Sequence, residues 1–216
     1  MPDLKPAQVE SLRAVFPGPV ILTLRSSEEG GAFAQDADTW MDTIMPFLSY
    51  VTMVDVEIRY RKFAQSLKEM GKTIIASCHS NEMLSSDALT ALYQDLRRYG
   101  DIPKIAVHPR DTDDLLTLLT FTHTSGKPLI VSVTGGSCRY ARPLLPLFGS
   151  LFTYCYIDNP TAKGQYSLRE MRMIFQLINP GIIDTWFDGC RDMQDSVSAS
   201  NSPDNMGLGR KERDTS

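Results

Sequence analysis

The chain has 216 residues, 42% of them apolar and 22% charged, and a formal net charge of −4. That size and apolar share suit one domain around one sizeable core, and the absence of a concentrated basic stretch argues against a nucleic-acid surface. Four scattered cysteines (Cys78, Cys138, Cys155, Cys190) with no CxxC pair argue against a disulfide framework or a zinc site.

No apolar run reaches membrane-spanning length, and the first residues lack a charged stretch followed by an apolar one. A cytoplasmic protein with no membrane contact is the expectation. Residues 6–16 read as an amphipathic helix with Val9, Leu12, Val15 and Phe16 on one face, stopped by Pro17-Gly18-Pro19. A strand follows over 20–25, then a helix over 39–50 and a strand over 53–58. The helix over 60–70 closes at Gly71, the strand over 73–78 leads into His79, and the helix over 85–99 closes at Gly100. Next come a strand over 102–107, a helix over 112–123, a strand over 128–133 and a short helix around 140–148. A sixth strand over 151–157 and a helix over 167–178 complete the folded region, predicted as residues 1–185. Cys78 and Cys155 fall within strands and read as buried free thiols. From Cys190 the composition turns to Ser, Asp, Asn, Gly and charge, which predicts a disordered tail over 190–216.

Strands alternating with helices predict an α/β fold with a parallel sheet, and in such folds chemistry gathers at the C-terminal strand ends. The polar residues there are Arg25 and Glu29, Asp55 and Glu57, His79, Lys104, Thr134, and Thr161 with Gln165. Lys104 sits inside the apolar run 102–107. Such a lysine either snorkels to water or is desolvated, and a desolvated amine sheds its proton more easily and can attack a carbonyl. Each residue taken singly also has a plain structural reading. His79 could be a hydrogen-bonded histidine, Glu29 a turn carboxylate before Gly30-Gly31, and Arg142 a surface residue with Arg139 nearby. Asp55 and Glu57 face one side of their strand and read as structural or supporting acids. His108 and His123 have no motif support.

In order along the chain, Leu22-Thr23-Leu24-Arg25 with Glu29-Gly30-Gly31, Val54-Asp55-Val56-Glu57, Ser77-Cys78-His79 and Asp101-Ile102-Pro103-Lys104-Ile105-Ala106 resemble the motifs of type I 3-dehydroquinate dehydratase, a (β/α)8 TIM-barrel family. Residues 128–150 align with that family without a gap, placing Arg142 on its S-R arginine and Phe148-Gly149-Ser150 on its F-G-S, and Thr161-Ala162-Lys163-Gly164-Gln165 is similar to its S-A-P-G-Q. The resemblance covers roughly residues 20–180. It implies dehydration of 3-dehydroquinate to 3-dehydroshikimate through a lysine imine, with no metal or cofactor. Lys104 would attack the ketone, and His79, with an unperturbed pKa near 6.5, would be base and then acid. Glu29 would orient His79, Arg142 would clamp the carboxylate, and Arg25, Thr161 and Gln165 would hold ring hydroxyls and the carboxylate.

The chain also departs from the pattern. Eight strands close such a barrel; six βα units are expected here, without the family's first two strands and the Glu-x-Arg pair of the second. Two open parallel edges would then invite a second copy or a partner chain. The serine before the clamp arginine is Ala141, the M-G-x-x-G-x-x-S-R loop becomes Thr134-Gly135-Gly136-Ser137-Cys138-Arg139-Tyr140-Ala141-Arg142, and the proline of S-A-P-G-Q is Lys163. These changes leave a second reading, a catalytically degenerate domain that binds a metabolite or a partner protein as a regulatory module.

Overall fold

The structure, a computed structural model, describes residues 4–16, 18–179 and 181. Five strands, β1 (Ile21–Thr23), β2 (Met53–Glu57), β3 (Thr73–His79), β4 (Ile102–Val107) and β5 (Ile130–Val133), pair in parallel and in chain order. Around them run α1 (Pro6–Val15), α2 (Ala37–Ile44), α3 (Ala64–Glu69), α4 (Ser86–Arg97), α5 (Thr112–Thr124), α6 (Ala141–Leu144) and α7 (Leu168–Ile178). Parallel neighbours taken in sequence and joined through helices are the winding of a (β/α)8 barrel, here a partial one. Asp36, Ser85, Asp111 and Ser167 start four of these helices by accepting an N–H of the first turn. The helix predicted over 39–50 tightens into a 3-10 turn over Met45–Tyr50, and the one over 60–70 opens with another over Ile58–Phe63.

Alternation along the strands separates two environments. Leu22, Val54, Val56 and Ile74 pack outward in one apolar cluster with Trp40 and Leu67, and Ala76, Ile105, Val107, Val131 and Val133 in a second with Leu96 and Leu118. The opposite face begins with Ile21, Met53, Ile75, Ile102 and Ile130, which form a separate inner cluster. Two residues further along each strand the same face turns polar, at Thr23, Asp55, Ser77, Lys104 and Ser132. The strands are apolar enough to be buried on both faces, yet their C-terminal halves carry chemistry inward.

The predicted sixth strand, 151–157, does not join the sheet. The Leu151 N–H donates to the Leu129 carbonyl at 2.8 Å, but the next donor, the Val131 N–H, is taken by Ser150 Oγ at 3.0 Å. That hydroxyl lies 3.2 Å from both the Val131 and the Phe152 carbonyls. A side chain thus occupies the place of the next ladder bond. Leu151, Phe152 and Tyr154 turn onto the inner cluster instead, covering Met53, Ile75, Ile102 and Ile130, all at most 5% exposed. The sheet therefore has five strands among the described residues, one fewer than expected. Cys78 and Cys155 are half-buried, Cys138 is buried, and all three are free thiols. The predicted tail and Cys190 lie outside the described residues. Among those residues no helix is long and apolar enough to cross a membrane.

Candidate active site

The turn after β1 sets the first part of the site. Ser26 caps a single 3-10 turn over Ser27–Glu29, and Gly30 follows at φ +84°. At Gly31 a Cβ would stand 2.1 Å from the Arg25 carbonyl oxygen, so only glycine lets the chain fold back this tightly. The return aims Glu29 across the strand ends. Its Oε2 accepts the His79 backbone N–H at 3.1 Å, lies 2.8 Å from His79 Nδ1, and is 3.2 Å from Arg25 Nη1. A carboxylate at Nδ1 holds the neutral ring's proton there and leaves Nε2 as an acceptor.

Beneath that pair lies a buried charge cluster. Lys104 Nζ donates to Asp55 Oδ2 at 2.7 Å, and Arg25 Nη2 donates to the same oxygen at 2.9 Å. Arg25 Nη1 also reaches Glu57 Oε1 at 2.9 Å and Ser77 Oγ at 3.0 Å. Ser77 Oγ donates to Asp55, while the Ser26 N–H and hydroxyl both donate to Glu57. Asp55 and Glu57 are each 1% exposed at the side chain, so these partners are what makes their burial tolerable.

The environment sets protonation. Burial would raise the Asp55 carboxyl, but Lys104 and Arg25 outweigh it and hold the group well below the usual carboxylate range. Burial would likewise strip Lys104 of its proton, yet Asp55 wins and the ammonium is favoured beyond its ordinary value. A desolvated lysine ordinarily deprotonates more easily; Lys104 is buried rather than snorkelling to water, and the carboxylate at 2.7 Å reverses that direction. Burial pushes Glu29 up to about 7, against the pull of Arg25 and the His79 N–H. Burial, then Arg25 and Lys104, bring His79 down to about 3 rather than leaving it near 6.5. The imidazole is neutral at neutral pH.

Above the cluster opens a cavity of about 510 Å³, and Arg25, Glu29, His79, Lys104, Arg142, Thr161 and Gln165 all line it. Arg142, on α6, is 3% exposed; among the described residues it forms no ion pair, and its Nε has no hydrogen-bond partner. Its neighbour Arg139 is exposed and lies over the Tyr166 ring, 4.0 Å from the centroid. Gln165 Oε1 gathers its own loop, accepting from the Thr161 N–H at 2.8 Å and the Ala162 N–H at 3.1 Å. That loop is seated closely: Gly164 has φ +81°, and a Cβ there would stand 2.2 Å from the Gly135 carbonyl oxygen. Sequence reasoning did not single out Tyr154, whose ring centroid is 4.5 Å from Lys104 Nζ, nor pair Asp55 with Lys104. Among the described residues no group of three or more His, Cys, Asp or Glu could hold a metal ion.

Fold and cavity together define a class: a parallel barrel protein in which a buried amine, a carboxylate-held imidazole and an unpartnered guanidinium meet at the C-terminal strand ends. A family model for type I 3-dehydroquinase matches residues 2–181, and the chain belongs to that family. It is 49% identical over 181 residues to the 3-dehydroquinate dehydratase of Methanospirillum hungatei, covering 84% of this chain and 71% of that one. Against the enzyme of the same name from Methanoregula boonei the identity is 42%, covering 77% and 80%. Among solved structures, the 3-dehydroquinate dehydratase of Geobacillus kaustophilus superposes with a TM-score of 0.72 at 27% identity, covering 80% of this chain and 74% of that one. The one from Aquifex aeolicus gives 0.68 at 26%, covering 82% and 83%.

Proposed function

We propose that this chain is a 3-dehydroquinate dehydratase working through a Schiff base on Lys104. The observation that carries the reading is the convergence of Lys104, His79 and Arg142 on one cavity, with the Arg142 Nε lacking any protein partner. A buried guanidinium without a carboxylate is suited to an anionic ligand, and 3-dehydroquinate brings a carboxylate. The Lys104 nitrogen, once it has shed its proton, adds to the ketone carbon, and the ketone oxygen leaves as water. The resulting iminium carries its charge on the nitrogen that Asp55 already faces, so the same carboxylate steadies resting ammonium and intermediate. His79, oriented by Glu29, removes a proton from the carbon beside the imine, and the electron pair moves onto nitrogen as an enamine. The enamine expels the hydroxyl, which takes a proton from His79 and leaves as water. Hydrolysis of the remaining iminium consumes one water and frees 3-dehydroshikimate, for a net loss of one. Thr161 and Gln165 hold the substrate from the loop above. Among the described residues β1 pairs with β2 alone, and we assign its open flank to a partner strand from a second copy.

Borohydride added with 3-dehydroquinate is expected to fix a ligand-sized mass on the peptide containing Lys104, and Lys104→Ala should fix none. His79→Ala should still be labelled while turnover falls about 10²–10⁴-fold, the usual contribution of a positioned proton-transfer group. Labelling at another lysine overturns the assignment. Binding without label or turnover would favour the metabolite-binding module instead.

A further inference from the structure

Three buried side-chain polar atoms lack a hydrogen-bond partner among the described residues: Tyr60 Oη, Arg142 Nε and Tyr154 Oη. Tyr60 stacks under Trp40 and does not line the cavity; the other two residues do. An unsatisfied buried donor costs free energy, so its persistence at a cavity wall points to an atom that the ligand supplies. Arg142 is accounted for by a carboxylate. Tyr154 is not accounted for by anything derived so far.

Its position is well fixed. Ser150 stops the sheet ladder and sends the next residues across the inner face, where Phe152 meets the Tyr154 ring edge-on with centroids 5.5 Å apart. The face of the Tyr154 ring receives Lys104 Nζ at 4.5 Å, a cation–π contact. The ring face thus steadies positive charge on the lysine nitrogen, and the hydroxyl oxygen also feels that cation. The hydroxyl's own proton has no acceptor among the described residues. Burial raises the phenol above its ordinary value, so the group stays a neutral donor across the working range.

We propose that the Tyr154 hydroxyl is a specificity-determining contact that hydrogen-bonds a ring hydroxyl of the substrate beside the carbon bound to Lys104. The ring and the hydroxyl oxygen meet the lysine charge, and the hydroxyl proton is what remains to recognise the substrate. The inference rests on the reading of the cavity as a site for a hydroxylated ring carboxylate, but not on turnover. A site built to hydrogen-bond a hydroxyl rejects analogues that lack it far better than an apolar wall could.

The test is equilibrium binding to the full chain by calorimetry, with quinate, which has ring hydroxyls but no ketone, and with cyclohexanecarboxylate, which has neither. Tyr154→Phe keeps the ring over Lys104 and removes only the hydroxyl. Quinate should bind the variant about 2- to 12-fold more weakly than it binds wild type, the range of one neutral hydrogen bond, with cyclohexanecarboxylate unchanged. Equal quinate affinity in both proteins overturns the proposal. So does an equal loss for both ligands, or no quinate binding to wild type. If wild type binds quinate as described but gives no borohydride label at Lys104 with 3-dehydroquinate, the dehydratase reading falls and the Tyr154 contact stands.

Discussion

Arg25 divides its guanidinium among Glu29, Asp55, Glu57 and Ser77, all at 2.9–3.2 Å. From the sequence it reads as a substrate-holding residue; with so many protein acceptors engaged, its larger part is to tie three carboxylates together under the cavity. The same crowding makes Glu29 a useful reporter. Its folded pKa of about 7 lies above its ordinary 4.5, so the folded chain binds this proton more tightly than the unfolded chain. The stabilisation it gives is complete below about 4.5 and is lost as pH rises through 7. His79 runs the opposite way: held near 3, it stabilises fully above its ordinary 6.5 and loses that as pH falls. Replacing Glu29 by Gln mimics the protonated form. The melting temperature of Glu29→Gln relative to wild type should therefore climb between pH 4.5 and 8, and a constant difference would refute the assignment. At this scale the sequence made strand-end residues visible, because each follows an apolar run. It could not show the Asp55–Lys104 pairing, since α3, β3 and α4 lie between the residues in the chain and register alone brings them together.

Among the elements, the turn over Ser26 to Gly31 carries the most geometry per residue. An alanine at Gly31 must push against the Arg25 carbonyl, a backbone atom that cannot swing aside as a side chain can. Gly31→Ala is expected to displace the turn, break the 2.8 Å contact between Glu29 and His79 Nδ1, and release the ring proton from its hold on Nδ1. Nitrogen NMR of the imidazole checks this: an Nδ1–H tautomer as dominant as in wild type would show that the turn does not set the pair. The strands and helices themselves were legible from periodicity, with ends shifted by a few residues where 3-10 turns intervene. The stretch over 151–157 was not. It has a strand's composition, but strand identity depends on a neighbour's free ladder groups, and Ser150 has taken them. Phe152 and Tyr154, two apart, show a period that suits either a strand or a run laid over an apolar face.

Across the whole molecule, the inner apolar side chains of the sheet are not left bare, because Leu151, Phe152 and Tyr154 cover them. Among the described residues the outer edge of β1 has no strand beside it, so its backbone groups lack ladder partners. Association through that edge should depend on concentration, so sedimentation of the chain should show monomer giving way to dimer as concentration rises. A monomer at every concentration removes the partner strand from the proposal. The hydroxyl that ends the ladder at Ser150 has a kinetic corollary. The Val131 amide in the middle of the core is bonded to the covering segment rather than to another strand, whereas the neighbouring sheet amides are bonded within the ladder. Its solvent exchange should then follow brief lifting of residues 151–154, while ladder amides such as that of Ile105 wait for the sheet itself to open. Deuterium uptake at Val131 outrunning that at Ile105 would give a clock for how often the roof over Lys104 comes off.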